Sequence, residues 1–194
     1  MHKKLNALIA LALILATLVF TWVMDDHRAP IMATATKPAT SAEPSQAQET
    51  LPVGLILKDR EGKSYSLADF DDKVILLNFW ATWCTPCIAE FGQFVNLARQ
   101  MPDDLVILAV SIDDKKERIE PFLRKYLKEY GSIPNLYILW DEDKSVSQDM
   151  FQTIRVPETL VITPDKKIAR KIAGLSLKWD SEETIHYLTG IKSN

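Results

Sequence analysis

Cysteine is scarce in these 194 residues: there are two, Cys84 and Cys87, separated by two positions. A disulfide-stapled scaffold distributes several cysteines along a small chain, and a structural zinc site needs four ligands. Histidine is equally sparse. His2, His27 and His186 are scattered, and only His186 falls in the part of the chain patterned as a folded domain. A metal site built on the cysteine pair is therefore short of ligands, and none is expected. Positive charge is not in excess either, the formal net charge being −3. Setting aside Lys3 and Lys4 leaves 21 Lys and Arg against 26 Asp and Glu, a net −5. A surface of that sign does not neutralise phosphates, which excludes nucleic acid as a partner. No internal repeat is present, and the length suits one domain with a full core.

One long uncharged run does exist. Residues 1–4 carry Lys3 and Lys4, residues 5–24 contain no charge, and Asp25 and Asp26 follow directly. At ~1.5 Å per residue a helix over 5–24 spans the ~30 Å hydrocarbon core of a bilayer. The lysines ahead of it put residues 1–4 in the cytoplasm and the remainder outside, with Trp22 near the outer interface. A retained signal anchor is the expectation. The competing reading is a cleaved signal peptide, although Ala33-Thr34-Ala35 lies well beyond the apolar run and that run exceeds the usual h-region. Residues 25–51 are rich in Ala, Thr, Pro, Ser and Gln, which predicts a disordered tether. Its end-to-end distance is roughly 25–30 Å.

Residues 52–194 carry alternating strand and helix patterns. Leu55 to Leu67 predicts two short strands joined through Glu61-Gly62. Val74–Ala81 and Leu105–Ile112 are continuous apolar runs, as expected of strands buried on both faces. A helix is expected from the cysteines to about Gln100. A second amphipathic stretch, Lys115 to Tyr130, has Pro121 inside it, so that helix is kinked early or begins there. Leu136–Trp140 reads as a strand and Ser145–Phe151 as a short helix. Thr159–Thr163 and Ile168–Ile172 form an antiparallel pair. Asp180–Leu188 is a closing helix capped by Asp180 or Ser181. The predicted fold class is an α/β sandwich with a mixed central sheet and an N-terminal β-hairpin.

The chemistry concentrates where a strand gives way to a helix, at Trp80-Ala81-Thr82-Trp83-Cys84-Thr85-Pro86-Cys87. A sulfur at a helix N-terminus faces free backbone N–H groups and the positive end of the dipole, both of which favour the thiolate. Pro86 loses nothing in a first helical turn, where its missing N–H has no partner anyway, and it stiffens the loop between the sulfurs. The spacing brings the sulfurs within disulfide reach, with Cys84 expected exposed and Cys87 turned inward. Thiol–disulfide exchange is the chemistry this arrangement suits. Attachment of c-type haem requires His after the second cysteine, where Ile88 stands. A purely structural disulfide is the plain alternative, yet so small a loop constrains the unfolded chain little.

From about Val53 to Leu188 the sequence resembles the TlpA/ResA-like branch of the thioredoxin superfamily, the membrane-tethered periplasmic reductases. The matching motifs are Leu76 to Cys87, Glu90, Val110-Ser111-Ile112-Asp113 and Val156-Pro157-Glu158-Thr159. The resemblance implies a thioredoxin-like fold in which residues 113–147 form a central inserted helix–strand. It also implies that Val156-Pro157 is a cis-proline dipeptide lying against the disulfide and pairing with substrate. Trp83, Thr85 and Pro86 would complete that substrate face, with Trp80 in the core. Glu90 would tune cysteine protonation, and Asn78, an amide where thioredoxin has an ionisable Asp, leaves Glu90 as the nearest base. The branch usually has Pro two residues after this Glu, and here Gly92 stands there. The implied activity is reduction of disulfides in exported proteins, for cytochrome c maturation or related thiol targets. Electrons would come from a membrane thiol donor and no cofactor is expected. A thiol peroxidase and a copper-binding assembly module on the same fold are the alternatives. The first wants other residues at Leu77 and Ala81, and the second wants a wider cysteine spacing and a His ligand.

Overall fold

The computed structural model describes residues 15, 17–20, 51, 52, 54–128, 131 and 133–193. The chain divides into two compact units, Met1–Ser45 and Gln46–Asn194. In the first, residues 15 and 17–20 are helical, with exposed side chains. The rest of the expected 5–24 span, and residues 25–50 of the expected tether, lie outside the described residues. No helix among the described residues is long and apolar enough to cross a membrane.

The second unit opens with a hairpin, β1 (Leu57–Lys58) antiparallel to β2 (Ser64–Tyr65). The turn falls where Glu61-Gly62 predicts it, because the Asp59 carboxylate accepts the backbone N–H groups of Glu61 at 3.0 Å and Lys63 at 2.8 Å. Gly62 supplies the positive φ of 87° that such a turn requires. The main sheet contains β3 (Val74–Trp80), β4 (Leu105–Ser111), β5 (Leu136–Trp140), β6 (Glu158–Ile162) and β7 (Ile168–Ala173), in the order β5-β4-β3-β6-β7. β3, β4 and β5 are parallel, and β6 and β7 run antiparallel to their neighbours, which gives the mixed sheet expected.

Every residue of β3 and β4 is buried, because both faces of the sheet are covered. Ile75, Leu77 and Phe79 pack on one side with Leu57, Phe70 and Phe151. Val74, Leu76 and Ile107 pack on the other with Phe94, Leu97 and Trp179. Helix α1 (Thr85–Gln100) runs unbroken through Gly92. Its far end is tied down by the Asn135 side-chain amide, which donates to the carbonyls of Ala98 at 2.9 Å, Met101 at 3.3 Å and Leu105 at 3.0 Å.

Helix α2 (Ile119–Leu127) is shorter than the amphipathic stretch from Lys115 predicts, a 3-10 turn over Lys116–Arg118 preceding it. Pro121 is its third residue, where the N–H would have no intrahelical partner, so the helix begins just ahead of the proline without a kink. The expected short helix after β5 is a π-helical turn, Ser145–Met150. The Asp141 carboxylate accepts the N–H groups of Val146 at 3.2 Å and Ser147 at 2.7 Å at its start. Helix α3 (Glu182–Lys192) is capped by Ser181, whose hydroxyl accepts the Thr184 N–H. β3, β4 and β5 all end on the same side of the sheet, at Trp80, Ser111 and Trp140, and the cysteine turn leaves from there.

Candidate active site

Cys84 is the N-cap of α1. Its backbone is extended, at φ −87° and ψ 100°, and its sulfur accepts the Cys87 N–H at 3.2 Å. That bond satisfies one of the orphan donors of the first turn and places the sulfur at the positive helix end. Pro86 lies in the same first turn. Cys84 and Cys87 are joined as a disulfide, with Cα atoms 5.2 Å apart.

One expectation about this turn is corrected. Cys84 is 5% exposed, nearly as enclosed as Cys87 at 2%. The cover comes from a distant loop: the Val156 carbonyl oxygen lies 3.6 Å from the Cys84 sulfur, and the Val156–Pro157 peptide bond is cis. The exposed residues of the turn are Trp83, Thr85 and Pro86. Trp83 is 57% exposed, whereas Trp80 is buried against Phe91 and Phe122.

The approach to the turn is held by Asp113, a fully buried residue just beyond β4. Its carboxylate accepts the Thr82 N–H at 2.9 Å, the Thr82 hydroxyl at 2.7 Å and the Ser111 hydroxyl at 2.7 Å. Its own carbonyl accepts the Trp140 indole N–H at 2.8 Å. The proline loop is braced similarly. Glu158 accepts the Thr153 hydroxyl at 2.6 Å and pairs with Lys171 at 3.2 Å, and Gly174 N–H donates to the Pro157 carbonyl at 2.8 Å.

Glu90 is buried one helical turn past Cys87. Its carboxylate accepts the Trp179 indole N–H and, at 3.5 Å, the Asn78 amide, which also donates to the Thr159 hydroxyl at 2.9 Å. Burial pushes the carboxyl up from 4.5 to about 7, against the pull of the bonds from Trp179 and Asn78.

Cys84, Cys87, Val156 and Pro157 thus come together at one point. Asn78, Thr159, Trp179 and Glu90 form a buried polar cluster along the same helix. Sequence reasoning gave no role to Asp113, Trp179, Ile154 or Leu175. Ile154, two residues before Val156, is 95% exposed, and Leu175, next to Gly174, is 52% exposed. An apolar residue in a loop carries no periodic signal, so only the fold reveals that both are left exposed. A surface cavity of about 410 Å³ lies elsewhere, between the hairpin and the end of β5, and includes neither cysteine. Among the described residues no group of three or more His, Cys, Asp or Glu is placed to hold a metal ion.

A paired-cysteine turn at the start of α1, a cis-proline against it and a mixed sheet behind it define the thioredoxin-fold thiol–disulfide oxidoreductases. Residues 49–171 match the AhpC/TSA family. Over 139 residues the chain is 32% identical to thiol-disulfide oxidoreductase ResA of Bacillus subtilis, spanning 71% of this chain and 72% of that one. ResA of Bacillus thuringiensis is 27% identical over 135 residues, 69% of this chain and 74% of that one. The exposed lipoprotein thioredoxin of Streptococcus pneumoniae superposes with a TM-score of 0.53 at 26% identity, covering 72% of this chain and 98% of that one. StoA of Bacillus subtilis shares the fold at a TM-score of 0.56 and 19% identity, covering 73% and 99%. The chain belongs to the AhpC/TSA family, and it is a thiol–disulfide oxidoreductase similar to ResA.

Proposed function

We propose that this oxidoreductase works as a reductase on the extracytoplasmic face of the cytoplasmic membrane, anchored by residues 5–24 and tethered by residues 25–51. Residues 52–194 are the catalytic domain in this reading. Its clients are disulfides of exported proteins, in cytochrome c maturation or a related thiol pathway, and a membrane thiol donor restores the dithiol. The observation that carries the exchange chemistry is the capping of α1 by the Cys84 sulfur, with the Cys87 N–H donating to it at 3.2 Å.

The Cys84 thiolate attacks a client disulfide. A Cys84–client bond forms, the client S–S bond breaks, and the departing client sulfur takes a proton from water. Glu90 accepts the Cys87 proton, and the Cys87 thiolate attacks the Cys84 sulfur. The mixed disulfide breaks, the second client sulfur leaves, and the Cys84–Cys87 bond closes, two electrons having passed to the client. A carboxyl titrating at about 7 is matched to this exchange near neutral pH. Asn78 has no proton-accepting group of that kind. Trp83, Thr85, Pro86, Val156 and Pro157 form the client face.

The test is the reduction potential of the Cys84–Cys87 pair, together with capture of clients on Cys87→Ser. A potential well below that of the strong oxidant DsbA, about −120 mV, and covalent trapping of exported thiol proteins are expected. A potential near that of DsbA reverses the direction. Peroxide turnover that survives Cys87→Ser replaces the reading with a peroxidase.

A further inference from the structure

Glu90 is 1% exposed, and its two donors are unequal. The Asn78 amide stands at 3.5 Å, the outer limit of a hydrogen bond, and is shared with Thr159 at 2.9 Å. The Trp179 indole N–H donates to Glu90 Oε1. An indole nitrogen is a donor only, and a bond from it to a carboxylate is charge-assisted, roughly twice as strong as one to a neutral oxygen.

Trp179 is itself fixed by the helix that carries Glu90. Its backbone N–H donates to Gln93 Oε1 at 2.8 Å, and its ring lies 5.2 Å from that of Phe94 between centroids. Glu90, Gln93 and Phe94 stand at i, i+3 and i+4, so one stripe of α1 holds the carboxylate, the anchor for the tryptophan backbone and the wall for its ring. Trp179 is 0% exposed. Apolar filling alone needs no N–H aimed at an acid, and an acid sealed from water without a donor carries its full desolvation cost.

We propose that Trp179 is a positioning residue that fixes the Glu90 carboxylate one turn past Cys87 and favours its ionised form. The proposal rests on the reading of Glu90 as the acceptor of the Cys87 proton. The groups facing Glu90 are few. Cys87 stands one turn back on its own helix, and β3 brings Asn78, which in turn bonds Thr159 of β6; neither Asn78 nor Thr159 ionises in this range. Glu158, adjacent to Thr159 in the strand, projects from the opposite sheet face and pairs there with Lys171. Asp180, next to Trp179, is turned to the Asn96 amide at 3.0 Å.

The experiment follows the Glu90 carboxyl by carbon-13 NMR in the full chain, with Glu90→Gln identifying its resonance. Benzothienylalanine at position 179 keeps the shape of the ring while sulfur replaces the N–H, and Trp179→Phe is the second variant. Loss of the donor is expected to raise the Glu90 midpoint by about one pH unit, a ~10-fold drop in the ratio of ionised to protonated carboxyl at fixed pH. The pH profile for closure of the Cys84–Cys87 disulfide moves upward with it. A Glu90 midpoint unchanged in both variants overturns the proposal. If the midpoint rises while the closure profile is unmoved both there and in Glu90→Gln, the hold of Trp179 on Glu90 stands and the proton-acceptor reading of Glu90 fails.

Discussion

The carboxylate of Asp113 accepts both the backbone N–H and the hydroxyl of Thr82, at 2.9 and 2.7 Å, two residues before the cysteine that caps α1. Strand β4 thereby holds the exit of β3 and sets the path on which Cys84 reaches the helix start. Asp113→Ala strands these donors and the Ser111 hydroxyl, and is expected to cost about 3 kcal/mol in stability. Thr82→Val, which removes one of the bonds, costs about 1 kcal/mol. Urea unfolding of the oxidised chain measures both, and equal small losses would contradict the bracing role.

Stability should depend on pH through Glu90. Its folded value, raised to about 7 from 4.5, means that between the two the native state keeps a proton the unfolded chain has lost. Stability is therefore greatest below the unfolded value and falls as pH rises through the window, by about 3 kcal/mol in all. Glu90→Gln should flatten this slope. Urea melts of wild type and variant at about pH 4.5 and 8 isolate the difference, because the remaining carboxylates are common to both.

Trp83 is more than half exposed, so its removal should leave the fold within about 0.5 kcal/mol of wild type. Trp83→Ala is nevertheless expected to lower kcat/KM for a protein disulfide about tenfold while sparing reduction by a small dithiol. Comparable losses with both partners would place its effect on Cys84 rather than on client docking.

At Gly92 an added Cβ meets no atom within 4 Å, and the residue sits inside α1. Gly92→Ala should stabilise the domain by about 0.5–1 kcal/mol through the entropy of the unfolded chain. A thermal melt lowered by the substitution would mean that the added methyl group is not accommodated as this open space implies.

Much of this architecture is written locally. The apolar runs of β3 and β4 announce burial on both faces, and the spacing of Cys84, Pro86 and Cys87 announces a helix start. The proline at 157 restricts Val156 to extended backbone. The cis bond found there was implied by family resemblance, since nothing local selects the minority isomer. Contacts between distant segments are not legible in this way. Spacing orients two sulfurs at a helix end, but it carries no information about the loop 72 residues on that shields Cys84. Trp179 reaches Glu90 across 89 residues, and no periodicity marks it out from an ordinary core tryptophan. Asp113 was visible as part of a motif, yet its grip on Thr82 depends on two parallel strands ending side by side.

The Asn135 amide spans three carbonyls where α1 finishes and β4 begins, at the opposite end of the helix from the disulfide. A rod staked at its tail has little freedom to slide or roll when its tip is altered. Opening and closing of the sulfur bridge is accordingly expected to be absorbed within the first turn of α1 and the proline loop facing it. A client would then meet the same platform in both redox states, differing at its rim.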